Sequence, residues 1–94
     1  MKIYRVRGEV LVAVCDANLV GKVFREGSLK IEVKEDFYGN EEFGEKEVED
    51  ALRKATIANI TGEMAVELAI RLGIVDKDRI LRIENCPHAQ MVLI

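Results

Sequence analysis

Asn85-Cys86-Pro87-His88-Ala89-Gln90 holds the sole proline, histidine and glutamine of the chain and one of its two cysteines. Histidine titrates near neutral pH, so His88 can act as an acid or base, bind a phosphate when charged, or ligate a metal. Proline fixes its own φ and drives Cys86 toward an extended conformation, which gives His88 a stiff mount. A small enzyme follows if Asp36, Tyr38, Asn59 and His88 converge on one cleft. His88 is then the acid or base, and Asn59 orients a substrate oxygen. The plainer alternative is a histidine packed beside a strand with its hydrogen bonds satisfied.

Other motifs carry less chemistry. Asn59-Ile60-Thr61-Gly62-Glu63 opens a helix whose exposed N–H groups can receive a phosphate or carboxylate, with Gly62 permitting close approach. Ordinary capping by Thr61 explains the same residues, and Glu63 repels an anion. Gly62 and Gln90 are the ligand-contacting candidates of this region. Gly21-Lys22 lacks the upstream glycine and downstream Ser or Thr of a P-loop. Cys15, Cys86 and His88 have no zinc-like spacing, so no metal or other cofactor is expected. No CxxC pair exists, and both cysteines are expected as small buried thiols.

Charge is distributed unevenly behind a net value of -3. Residues 1–34 hold seven basic and four acidic side chains, whereas residues 35–50 hold eight acids against Lys46 alone. A basic face built from Arg5, Arg7, Lys22, Arg25, Lys30 and Lys34 suits RNA or another phosphate-bearing partner, and the acidic stretch suits a basic protein. Lys22, Arg25 and Lys30 are the cations expected to bind. A hydrophobic share of 49% beside a charged share of 33% excludes a disordered chain. No apolar run approaches the roughly 18 residues of a membrane span. Glu9 and Asp16 bracket the only run resembling a secretory leader, so a cytoplasmic protein is expected. Abundant Lys, Arg and Glu with one Gln and no Trp suit a thermophile.

The positioning elements follow from periodicity. Glu9 to Cys15 is apolar on both alternating faces and valine-rich, which predicts a central strand buried on both sides. Ile3 to Arg7 reads as a short strand ended by Gly8. Leu29, Ile31 and Val33 alternate with charged residues in a strand wet on one face. Glu35 to Gly44 reads as a loop pinned by Phe37, Tyr38 and Phe43. Val48, Ala51, Leu52 and Ala55 predict a helix over Glu45 to Thr56, with Glu49–Arg53 and Asp50–Lys54 pairs. Ile57 to Ile60 reads as a connector or edge strand. A second helix runs from a Thr61 cap to Leu72, with Glu67 paired to Arg71 and Gly73 as its left-handed stop. Arg79 to Glu84 and Met91 to Ile94 are the last strands, joined through Pro87.

Four segments together resemble the small archaeal proteins catalogued as domain of unknown function 424. They are Val14-Cys15-Asp16 with Leu19-Val20-Gly21-Lys22, Asp36-Phe37-Tyr38-Gly39, Ala55 to Glu63, and Cys86-Pro87-His88-Ala89-Gln90. The resemblance spans nearly the whole chain and implies an archaeal cytoplasmic protein; it implies no activity and no catalytic residue.

The expected architecture is one α/β (α+β) domain over residues 1–94. Its mainly antiparallel or mixed sheet has about four or five strands, with two helices on one face. The expected function is a non-catalytic binding module in an RNA or translation-related complex, with the His88 enzyme as the rival. A homodimer pairing through Met91-Val92-Leu93-Ile94 is the third possibility, since an unpaired apolar edge invites association.

Overall fold

The computed structural model describes residues 1–93. Seven strands are formed: β1 (Lys2–Val6), β2 (Glu9–Cys15), β3 (Val23–Glu26), β4 (Leu29–Glu32), β5 (Ile57–Thr61), β6 (Leu81–Ile83) and β7 (Cys86–Val92). Helices α1 (Glu35–Tyr38) and α2 (Glu45–Lys54) precede β5, and α3 (Glu63–Arg71) follows it. A five-stranded sheet has the order β1-β2-β5-β7-β6, and β3 and β4 make a separate two-stranded sheet. β2 and β5 are parallel, and the other pairs are antiparallel.

As its unbroken apolar pattern predicts, β2 is buried on both sides. Val12 and Val14 join Ala58, Ile60 and Ala89 under α2 and α3, packing on Leu52, Val66 and Ala69. Ala13 faces the other way with Ile83 and is covered by Ile31, Val33 and Tyr38. Tyr4 stacks on Phe37, whose ring meets Tyr38 edge-on with centroids 5.0 Å apart. The expected sheet with two helices on one face is therefore present, and α1 with the β3–β4 hairpin closes the opposite face.

Helix α2 has Glu45 and Glu47 in its first turn and Arg53 and Lys54 in its last, matching the helix dipole. The Glu49–Arg53 pair forms at 3.2 Å, but Asp50 meets Lys46 rather than Lys54. Arg71 reaches Glu45 on α2 instead of Glu67. Helix α3 stops where its glycine predicts: Gly73 has φ +75°, and the Ile74 N–H closes on the Ala69 carbonyl at 2.9 Å.

Several local expectations are overturned by pairing across the chain. Ile57–Thr61 is no connector or edge; β5 lies between β2 and β7 with partners on both sides. Thr61 does not cap α3, because its side chain turns into the opposite core, toward Tyr38. Glu35–Tyr38 is one helical turn rather than loop. Lys77–Arg79 forms a 3-10 turn, so the strand beyond it shrinks to Leu81–Ile83. The segment around Pro87 is a strand, preceded by a two-residue turn at Glu84 and Asn85 with φ of 50° and 67°. Pro87 is tolerated one position beyond the last β5 pair, Thr61 with His88, and its carbonyl accepts from Gly62 N–H at 2.9 Å. Met91 and Val92 pair with Ala58 and Ile57 on one side, whereas β6 reaches only Cys86 to His88 on the other, so the end of β7 keeps one open edge; Ile94, the end of that expected strand, lies outside the described residues.

Candidate functional site

Strand alternation puts Thr61 and Asn59 of β5 and His88 and Gln90 of β7 on the face opposite α2 and α3. Cys15, Thr61, His88 and Leu81 form one cross-strand row; Lys2, Ala13, Asn59 and Gln90 form the next. Hydrogen bonds run through the first row from the core outward. Tyr38 Oη lies 3.0 Å from Thr61 Oγ1, and Thr61 Oγ1 lies 2.8 Å from His88 Nδ1. Gln90 Nε2 is 3.3 Å from His88 Nε2.

Two proton arrangements satisfy this chain. In one, Tyr38 donates to Thr61, Thr61 donates to Nδ1, and the Gln90 amide is turned over so that its oxygen accepts from the outer Nε2–H of His88. In the other, the Gln90 amide donates to Nε2 and Nδ1–H donates inward to Thr61, whose hydroxyl donates to Tyr38. A buried phenol needs an acceptor for its own proton, which favours the first arrangement. Thr61 is fully buried and Tyr38 nearly so. Burial pushes the Tyr38 phenol up, opposed by its bond to Thr61. The same cause lowers the His88 imidazole from 6.5 and raises both the Cys15 and the Cys86 thiol. At neutral pH the row therefore holds an uncharged imidazole and, at Cys15, a protonated thiol. It can offer the outer imidazole nitrogen to a polar ligand that displaces the Gln90 amide.

The structure brings Tyr38 and His88 into one chain and sets Asn59 opposite Gln90 in the adjoining row. Asp36 stands outside it. Its carbonyl accepts from Lys2 Nζ at 2.9 Å and from Tyr4 Oη, and the residue is exposed beside a cleft of about 480 Å³ next to β1. Gly62 has φ +112°, and a Cβ there would run into the Asp16 carboxylate. That carboxylate accepts from the Met64 and Ala65 N–H groups at 3.1 and 2.9 Å, filling the position an anion would take at the start of α3. Lys22 lies at the base of the β3–β4 hairpin, on which Arg25 and Lys30 are directly opposed.

A second region escapes sequence reading. A cleft of about 690 Å³ opens at the carboxyl end of β2, between the Asp16 to Val20 turn, the 39–45 segment and α3. Its floor is apolar, with Val14, Val48, Ala65 and Leu68. Met64, 77% exposed, and Phe43, 38% exposed, stand at its margin. Asp16, Glu41, Glu42, Glu45 and Glu67 line it, against Arg71 and the Met1 amine. The one local signal is Met64, an apolar side chain on the outward face of α3.

The mixed sheet with two helices on one side and a hairpin on the other defines a small α+β domain. The chain belongs to the family described as protein of unknown function (DUF424), whose model matches residues 4–94. The crystal structure of an uncharacterized conserved protein from Methanopyrus kandleri has the same fold. Its TM-score is 0.77 at 23% identity, with 96% of this chain and 86% of that chain covered. No curated protein matches the chain. Among the described residues, no helix is long and apolar enough to cross a membrane.

Proposed function

We propose that the protein is a non-catalytic binding module of an RNA or translation-related complex in an archaeal cytoplasm. The observation that carries this reading is the β3–β4 hairpin, a separate two-stranded ribbon packed over one face of the main sheet. Phe24 and Ile31, directly opposed, pack inward, so the next opposed pair, Arg25 and Lys30, points outward. Lys22 is exposed at the base of the ribbon, where its carbonyl accepts from the Val33 N–H at 2.9 Å. Lys30 lies 3.5 Å from Glu32, but both are exposed, and such pairs are too weak to hold a lysine from a phosphate. Phosphate binding by such a ribbon is electrostatic and shows as salt-dependent affinity. The test is retention of a single-stranded RNA 20-mer by the Lys22→Gln/Arg25→Gln/Lys30→Gln variant across a salt series. Retention falls, and the slope against log salt flattens by about 0.7 for each phosphate that is no longer neutralised; unchanged retention overturns the reading.

A second reading rests on the Tyr38–Thr61–His88–Gln90 chain. A small-molecule or phosphate-bearing substrate would meet His88 Nε2, with Asn59 orienting its oxygen. Titration with inorganic phosphate, followed by the His88 ring proton signals, tests it. A saturable shift that Asn59→Ala weakens supports the reading, and constant signals oppose it. A homodimer would use the edge of β7 that β6 leaves open, with exposed Val92 and Leu93 at its end, and concentration-dependent sedimentation decides that question.

A further inference from the structure

The cleft beside Asp16 combines features absent from the His88 row and from the hairpin. It is concave, has an apolar floor and carries an excess of carboxylates at its margin. Its volume of about 690 Å³ lies within the usual range for ligand sites, roughly 300–1,000 Å³. Two of its acids are spent internally: Asp16 caps α3, and Glu45 is paired with Arg71. Glu41, Glu42 and Glu67 form no ion pair among the described residues. Met64 projects into solvent at 77% exposure, although an unbranched thioether gains most when buried and adapts to irregular apolar surfaces. The Met1 amine donates to the Glu41 carbonyl at 3.5 Å and forms no ion pair among the described residues.

We propose that this cleft docks a segment of a partner protein that carries lysine or arginine next to apolar side chains. Charge complementarity chooses the occupant. The stems of Lys and Arg can lie on the apolar floor while their charged ends reach Glu41, Glu42 and Glu67, and an apolar neighbour covers Met64. A nucleic acid is repelled by the same carboxylates, so this surface is separate from the cationic hairpin and does not depend on that ribbon's binding RNA. The two surfaces give the module one face for phosphate and another for a basic chain.

The test is selection of random peptides by display on the immobilised full chain, followed by synthesis of the enriched sequence. Enriched peptides carry Lys or Arg beside apolar residues. Binding of the synthetic peptide falls about tenfold or more in Met64→Lys and in Glu41→Lys/Glu42→Lys, because each sets like charge against the basic peptide. The Glu32→Lys/Asp50→Lys control changes net charge equally away from the cleft and leaves affinity within about twofold. Met64, Glu41 and Glu42 are exposed, and circular dichroism verifies that each variant is folded. Acidic or purely apolar enriched sequences, no enrichment, or equal loss in the control overturn the proposal. A dimer in the unliganded protein that Met64→Lys dissociates assigns the cleft to a second copy and overturns it equally.

Discussion

The His88 row and the Asp16 cleft meet at Cys15 and invert each other's design. In the row, scarce polar side chains are drawn inward and satisfied by one another, from Tyr38 through Thr61 to His88. In the cleft, common side chains are left open: Glu41, Glu42 and Glu67, which form no ion pair among the described residues, and a methionine in water. Rarity of residue type therefore marks a place where polar groups complete a core, whereas the larger concavity is built from residues that are ordinary in sequence. A hydrogen-bonded row is costly to disturb, while an open cleft is nearly free to change. That difference in cost is measurable.

Thr61→Val should have the largest effect. It removes the hydroxyl that serves both Tyr38 Oη and His88 Nδ1, and each buried group left unpaired costs about 1–3 kcal/mol. Urea unfolding should show a loss of about 2–5 kcal/mol; a loss below about 1 kcal/mol would mean that the chain is not a core element. Asp16→Ala comes next, at about 1–2 kcal/mol, because it frees the Met64 and Ala65 N–H groups at the start of α3. A thermal midpoint equal to that of the parent chain would remove Asp16 as the cap.

The pH response isolates the row from the cleft. Burial lowers the His88 imidazole, so the unfolded chain binds its proton more readily than the folded one. Its contribution is complete above the unfolded value of about 6.5 and is lost as pH falls through and below it, down to the lowered folded value. Unfolding curves between pH 7 and pH 5 should show this slope in the parent chain and a shallower one in His88→Asn. A folded-state histidine titrating at or above 6.5 by NMR would contradict the burial. The smallest effect belongs to the cleft margin: Met64→Gln should change stability by no more than about 0.5 kcal/mol, as for other exposed substitutions. A larger loss would show that Met64 supports the fold instead of standing ready for a partner.

The elements legible in sequence are those whose residues repeat one message. Every residue from Val10 to Cys15 is apolar, so β2 needs no partner to be recognised as buried on both faces. Gly73 and Ile74 likewise announce the end of α3 through local backbone chemistry. Ile57-Ala58-Asn59-Ile60-Thr61 mixes messages in five residues, and its place at the sheet centre comes from β2 on one side and β7 on the other. Sequence offers the adjacent Thr61 as the cap of α3, but the carboxylate that meets its N–H groups belongs to Asp16, distant in sequence and brought there by the parallel pairing of β2 with β5.

The same division runs through the site. Local composition alone placed His88 on a stiff, extended segment and set cations in the first third of the chain against acids in residues 35–50. Periodicity alone separated the helix faces and their stops. Folding decided that Thr61 joins Tyr38 to His88, that Asp36 stays outside that chain, and that residues from a turn, a loop and two helices enclose one cleft. The physical reason is range. Backbone preference and apolar period act over a few neighbouring residues, whereas a shared hydrogen bond, a lowered pKa or a concave surface exists only after strands distant in sequence have paired.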